Sequence, residues 1–430
     1  MGKRKQKKAD QFDSSDADSV SSSSTAFSEL TLAQETERVD SQEFSLGNYL
    51  DALYEKRGST REKALIGLLS AFEGAVLLDF IESRCITLLH QYLNSIKRGS
   101  ATEVCLAARA IGFLSITAGN GDNTHEIMED SMPSLSRALI SGPDAVRISV
   151  LDCLAIITFV GSNNWEETET VMKIMWEIIH PKSLSKAGTI IKPSSAVLVG
   201  ALSAWSFLLT TLHGWRIDLD MWTEMISFLC NLLENGERAV RIAAGETIAV
   251  IFEIVVAGKL SSLTSDLGST EDIRGKPKWF IYLLSLKEKI MLLVSNLSME
   301  AGGKGIDKKC LNMQRDTFQK IYDYLKEGDQ PMTSLKLSKK QGVLTTSTWT
   351  ELIQLNFLKH FLGSGFLKHA QDNDFLHDVF DLKPDAENGL SASQKRIFRS
   401  SGDRERTVVL NKDRRMGQIR KGAIMSVDEE

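Results

Sequence analysis

The sequence predicts an all-α protein: an armadillo/HEAT-like helical-repeat superhelix with a disordered N-terminal tail and a basic C-terminal tail. Three observations carry the prediction. The first is internal repetition. AVRISVLDCLAIITFVG (145–161) and AVRIAAGETIAVIFEIV (239–255) open on the same four residues; AVLVGALSAWSFLLTTL (196–212) lies between them and VCLAARAIGFLSITAG (104–119) before them. Starts near 104, 146, 197 and 240 give spacings of 42, 51 and 43 residues, and armadillo and HEAT units run about 40–47. The second is composition. A chain of 430 residues with 42% hydrophobic and 25% charged residues can bury a sizeable core, and 7 Pro with 7% aromatics favour helix over a β-sandwich. The third is a set of helix-start signatures: Ser59 with Glu62, Ser100 with Glu103 and Thr348 with Glu351 each have the spacing of a capping box.

Residues 1–43 are rich in Ser and Asp and too poor in apolar groups to offset ordering entropy, which predicts a disordered tail. Ser14, Ser15, Ser19 and Ser21 to Ser24 stand among acids as candidate phosphorylation sites, or as a solvated spacer. Helix begins near Leu46, Gly58 ends it, and Ser59 caps the next, whose apolar face is Ala64, Leu65, Leu68, Leu69 and Phe72. The repeats occupy 44–330. Their inner helices are the four related stretches, apolar on more than one face; 76–97, 125–140, 165–180 and 219–234 supply outer helices. No such unit buries its own apolar face, so neighbours must cover it.

Arg147 and Arg241 fall at equivalent places in two units and read as inter-repeat hydrogen bonds rather than a basic ladder. Pro193–Trp215 contains no Asp, Glu, Lys or Arg, but its serines and threonines and its register with the repeats make it a buried helix, not a membrane span. Residues 258–276 read as a polar loop, and helices at 278–299 and 307–326 as end-capping units. The next segment, 331–385, is a C-terminal block. It opens with a short edge strand or extended arm around Leu335 and Leu337, and continues as an aromatic-bearing helical stretch at 349–382, bent at Gly363 and Gly365. Residues 386–430 are the basic tail.

Reactive chemistry is hard to find. Gly302, Gly303, Lys304 and Gly305 lack the phosphate-loop pattern, and the Gly-Ser-Gly at 363–365 lacks the nucleophile-elbow pattern. His360, His369 and His377 are nine and eight residues apart, spacings that put no two of them on one helical face at metal distance. Cys85, Cys105, Cys153 and Cys230 lie in apolar helical stretches and read as small core residues; Cys310 stands near Lys308 and Lys309. An odd count of 5 Cys without a C-x-x-C pair suits a reducing compartment. The expectation is a protein that is not an enzyme, with no catalytic residues, no metal, no cofactor and no small-molecule substrate.

Charge points to the ends. The whole chain carries −5, of which residues 1–8 hold +5, 395–422 hold +7 and the last eight residues −3, leaving −14 on 9–394. Lys3, Arg4, Lys5, Lys7 and Lys8 form a candidate nuclear address. Lys395, Arg396, Arg399, Arg404, Arg406, Lys412, Arg414, Arg415, Arg420 and Lys421, interleaved with Phe398, Val408 and Ile419, form a candidate RNA-binding segment whose affinity would come mainly from counterion release.

EKRGSTREKAL (55–65), the AVR-type repeat helices and WTELIQLNFLKHFLGSGFLKHAQDNDFLHDVFDL (349–382) together resemble the interferon-related developmental regulator family, over roughly residues 45–385. The resemblance implies an armadillo-like array without enzymatic activity, acting in the cytoplasm and nucleus through protein complexes as a transcriptional co-regulator. It also implies contact of the C-terminal segment, here 386–422, with the ribosome and ribosomal RNA to repress translation. Two readings stay open: a gene-expression scaffold anchored to RNA by its tail, and a protein-only nuclear adaptor. Neither needs a membrane.

Overall fold

The computed structural model describes residues 45–181, 192–212, 219–256, 278–302, 308–338 and 342–382. The chain divides into two units, 1–48 and 49–430. Of the first, the described residues 45–48 are helical. The expected N-terminal disorder, the whole polar loop at 258–276, Gly303 to Gly305 and everything beyond Leu382 lie outside the described residues.

The second unit is an array of helix pairs. It opens with α1 (Gly58–Gly74), and five pairs follow: the short α2 (Leu78–Glu82) and α3 (Cys85–Arg98) with α4 (Ala101–Ala118); α5 (Asp122–Ser141) with α6 (Asp144–Gly161); α7 (Trp165–Ile179) with α8 (Ser195–Leu209); α9 (Leu219–Asn235) with α10 (Arg238–Ile251); and α11 (Lys278–Ser298) with α12 (Lys308–Glu327). Helices α1, α4, α6, α8, α10 and α12 pack in sequence as one layer, and α3, α5, α7, α9 and α11 cover that layer. This is the predicted helical-repeat architecture of the armadillo/HEAT kind.

The two layers differ as their sequences do. Outer α3 is two-faced: Leu88, Leu89, Tyr92, Leu93 and Ile96 are buried while Ile86 and His90 face solvent. Inner α4 and α6 are buried almost all round, from Val104 to Thr117 and from Val150 to Gly161. Among the described residues α4 is also the one helix long and apolar enough to cross a membrane, but its neighbours enclose it. The uncharged stretch at 193–215 contains α8, whose Val197, Ala201, Leu202, Trp205 and Phe207 are buried among neighbouring helices.

The inner layer is covered on its remaining side by the C-terminal block. A hairpin of β1 (Thr333–Ser338) and β2 (Gly342–Thr346) pairs Thr333 with Thr346 and Leu335 with Leu344. Then α13 (Trp349–Leu362), a 3₁₀ turn at Gly363–Gly365, α14 (Phe366–Asp372) and α15 (Asp374–Phe380) run back across the array against chain order. The contacts follow that path. Glu253, in a π-helical turn (Phe252–Val256) after α10, accepts the backbone N–H of Trp349 (3.0 Å) and of Thr350 (2.7 Å). Phe357 stacks on Phe207 of α8, with ring centroids 4.2 Å apart. Phe361 meets Phe113 of α4, and Phe375 meets Phe159 of α6. The Nε2–H of buried His369 donates to the Phe72 carbonyl of α1 (2.7 Å), while its Nδ1 accepts from Asn373 (3.3 Å). Burial lowers the His369 pKa, in keeping with that neutral tautomer.

Three local expectations are corrected. Gly58 does not end a helix: it begins α1, behind Arg57. Ser59 therefore sits inside the first turn and caps nothing; Glu62 instead accepts a hydrogen bond from the Ser100 hydroxyl (2.6 Å). At Ser100 and Thr348 the cap forms, each side chain accepting from the N–H three residues on (both 3.1 Å), but neither box closes. Glu103 turns to the Arg61 guanidinium (2.7 and 2.9 Å), a nearly buried ion pair stronger than a box contact, and Glu351 reaches the N–H of Ser347.

Candidate functional site

The inner layer and the C-terminal block do not meet everywhere. Where α6, α8 and α10 face α13, a groove of about 590 Å³ stays open, within the range of ligand clefts. The repeat register built it. Counting from the alanine that starts each AVR-type stretch, the eighth residue is Asp152 in α6, Ser203 in α8 and Glu246 in α10, and all three line the groove. The fourth residues, Ile148 and Val199, give it an apolar wall, completed from α13 by Ile353 and Phe357. Gly200 and Ala196 keep the α8 wall low.

The charged groups facing this space are Asp152, Glu237, Glu246 and His360. Asp152 has 17% of its side chain exposed, and the basic side chain beside it is His360, its Nε2 at 3.9 Å and its side chain 73% exposed. The Glu246 side chain makes no hydrogen bond or ion pair with any described residue. Burial pushes both carboxyls up to about 7, because each loses water and gains no close positive charge.

Both AVR arginines form inter-helix hydrogen bonds or ion pairs. Arg147 donates to the Leu139 carbonyl of α5 (3.2 Å), and Arg241 pairs with Glu300 at the end of α11 (3.4 Å). A hydrogen bond from Gln314, with the charges of Arg241 and Arg238, holds the Glu300 carboxyl below its ordinary range. The three histidines are held apart: His360 lies at the groove mouth, His369 inside the core, and His377 donates to the Ala370 and Gln371 carbonyls (3.1 Å each). Among the described residues no three His, Cys, Asp or Glu side chains gather as metal ligands. Cys85, Cys153 and Cys230 are buried, with burial raising each thiol's pKa.

Lys3, Arg4, Lys5, Lys7, Lys8 and the ten basic residues from Lys395 to Lys421 lie outside the described residues. Asp152, Ser203 and Glu246 were not among the residues the sequence singled out. The available signal was a lone acid, twice, at one register position of otherwise apolar inner helices.

Fold and groove define a helical-repeat protein of the armadillo/HEAT class whose inner layer carries its own C-terminal block. The interferon-related developmental regulator (IFRD) profile matches residues 13–326. The chain belongs to that family. It is 25% identical over 389 residues to Interferon-related developmental regulator 1 of Sus scrofa, covering 86% of this chain and 80% of the relative, with the same figures for the Homo sapiens protein. Interferon-related developmental regulator 2 of Mus musculus is 28% identical over 359 residues, covering 81% of this chain and 75% of the relative. A solved structure reported under "Structural Basis of Microtubule Plus End Tracking by XMAP215, CLIP-170 and EB1" aligns with a TM-score of 0.34 at 13% identity, over 56% of this chain and 89% of that one. At that score it adds nothing to the fold described above. The family profile ends before the 349–382 block, whereas the alignments to relatives are long enough to cover most of the chain. Family membership supports a role in regulating gene expression in general terms.

Proposed function

We propose that this chain is a non-catalytic scaffold of the gene-expression machinery, with the basic segment 395–421 anchoring it to ribosomal RNA as a translational repressor. The observation that carries this reading is the return path of the C-terminal block. Because α13 to α15 are fastened across the inner layer, the described residues end near α6, where Phe375 packs on Phe159, and not at the α12 end of the array. A polycation tethered at a fixed point on a packed body can orient that body on a polyanion. A tail that binds by counterion release also loses affinity steeply as salt rises.

The test is co-sedimentation with ribosomes on sucrose gradients at low and high salt, full chain against a chain ending at residue 394. The expected result is salt-sensitive co-sedimentation of the full chain, weakened at least tenfold by the truncation. Equal co-sedimentation of both chains removes the tail from the mechanism.

The second reading, a protein-only adaptor, is favoured by the groove. Its Asp152, Glu237 and Glu246 are unsuited to phosphates and suited to protein. Partners captured by the full chain after nuclease treatment support it; loss of every partner on nuclease treatment argues for RNA. Changing Lys3, Arg4, Lys5, Lys7 and Lys8 to Gln tests the nuclear address, with loss of nuclear accumulation as the expected outcome.

A further inference from the structure

We propose that the groove between α6, α8, α10 and α13 seats an extended segment of a partner protein, with two lysine or arginine side chains roughly five residues apart meeting Asp152 and Glu246. The inference rests on the protein-scaffold reading and names the chemistry of its partner.

The spacing follows from the repeat. Asp152 and Glu246 stand at the same register position of helices separated by one intervening inner helix, α8. Two helix spacings are roughly 15–20 Å, which an extended chain crosses in about five residues. That separation is too wide for the two carboxyls to share one metal ion, whose ligands sit about 2–2.6 Å from it. Between the acids the wall is Val199 and Gly200, so the middle of the segment meets apolar surface and a low rim, while Ser203 and Asn356 offer hydrogen bonds to its backbone.

Charge selects the occupant. Glu246 has no partner among the described residues, Asp152 has only the exposed His360, and α8 contributes no charge to the groove. Residues 9–394 carry −14 in all, which favours a basic visitor and disfavours an acidic one. Burial without a cation leaves both carboxyls titrating at about 7. An arriving ammonium or guanidinium returns them to the ordinary carboxylate range, so binding releases protons and tightens as pH rises. Glu237, on the same groove, adds to the attraction. Between pH 6 and pH 8 the gain is about tenfold for each carboxyl.

The test uses the full chain and fluorescein-labelled twelve-residue peptides of serine and leucine carrying two lysines two to eight positions apart, read by anisotropy. The expected results are tightest binding near a spacing of five, at least tenfold weaker binding at pH 6 than at pH 8, and loss on replacing either lysine with norleucine. Asp152→Asn and Glu246→Gln should each weaken binding at least tenfold at pH 8 and shrink the pH dependence. Both substitutions remove a half-buried charge and keep shape, so folding is preserved.

Absence of binding, binding indifferent to spacing, or binding unchanged in both variants overturns the proposal. So does equal competition by spermidine, which would mark a polyamine site. Carbodiimide coupling of Asp152 or Glu246 to the chain's own lysines in preference to the peptide would make the C-terminal tail the occupant, and also overturns it. If protein partners survive nuclease treatment while no peptide binds, the scaffold reading stands and this inference alone falls.

Discussion

Asp152 and Glu246 set a sign that most carboxylates do not. Their ordinary values are 3.8 and 4.5, and in the folded chain both rise to about 7. A raised folded pKa means the native state holds the proton longer than the unfolded chain does. The protonated groups therefore support stability below about pH 4, and that support is lost as pH climbs to about 7. At pH 8 each ionised group costs on the order of 2 kcal/mol, allowing for its partial contact with solvent. Asp152→Asn combined with Glu246→Gln should leave stability unchanged near pH 4 and raise it at pH 8; urea denaturation at the two values checks both the size and the direction.

A second residue-scale expectation concerns Gly112. A Cβ there would lie 2.4 Å from the Phe361 ring, so Gly112→Ala should destabilise by about 1–3 kcal/mol through overpacking. Thermal unfolding of that variant beside Phe361→Leu separates crowding from simple loss of contact. At this scale the sequence was half legible. The caps at Ser100 and Thr348 could be read from local spacing, because the partner N–H is three residues away. The role of Glu62 could not, because the Ser100 hydroxyl that claims it is 38 residues distant.

The elements were legible where their signal is periodic. The inner helices α4, α6, α8 and α10 were readable from their apolar stretches, α11 and α12 only as end-capping units, and the bend at Gly363–Gly365 from its glycines. Gly363 adopts φ of 56°, a left-handed conformation that disfavours a side chain, and a Cβ on Gly365 would press to 2.9 Å from the Glu73 backbone. The docking of α13 was not legible, since it depends on Glu253, a single acid in a π-helical turn. That carboxylate serves two N–H groups at the start of α13 and the Thr350 hydroxyl (2.7 Å), acting as a cap supplied from another helix. Glu253→Ala should cost about 1–2 kcal/mol and free the first turn of α13 while leaving α1 to α6 unaffected. Hydrogen exchange resolved by segment would show it; uniform loss of protection along the array would contradict a local cap.

For the molecule as a whole, an inner layer apolar all round has its explanation in three-layer packing. An ordinary two-layer repeat leaves one side of each inner helix to solvent, whereas here α4, α6 and α8 present Phe113, Phe159 and Phe207 to Phe361, Phe375 and Phe357. The apolar excess was visible in the sequence, but what covered it was not, because sequence period says nothing about partners 150 to 248 residues away. Removing 349–382 should therefore expose an apolar strip and produce strong dye binding and self-association, even with secondary structure largely kept; a monomeric, dye-negative truncation would contradict the packing.

The same return path has a consequence in time. His369 donates to a carbonyl 297 residues earlier, and Asn373 to one 257 residues earlier. At ~5–20 residues per second, a nascent α1 waits roughly 15–60 s for the segment that closes over it. Throughout that interval the growing chain carries a sticky half-finished interior, which makes it a client for chaperones stationed at the exit tunnel and gives early termination a harsher penalty than the lost length alone would suggest.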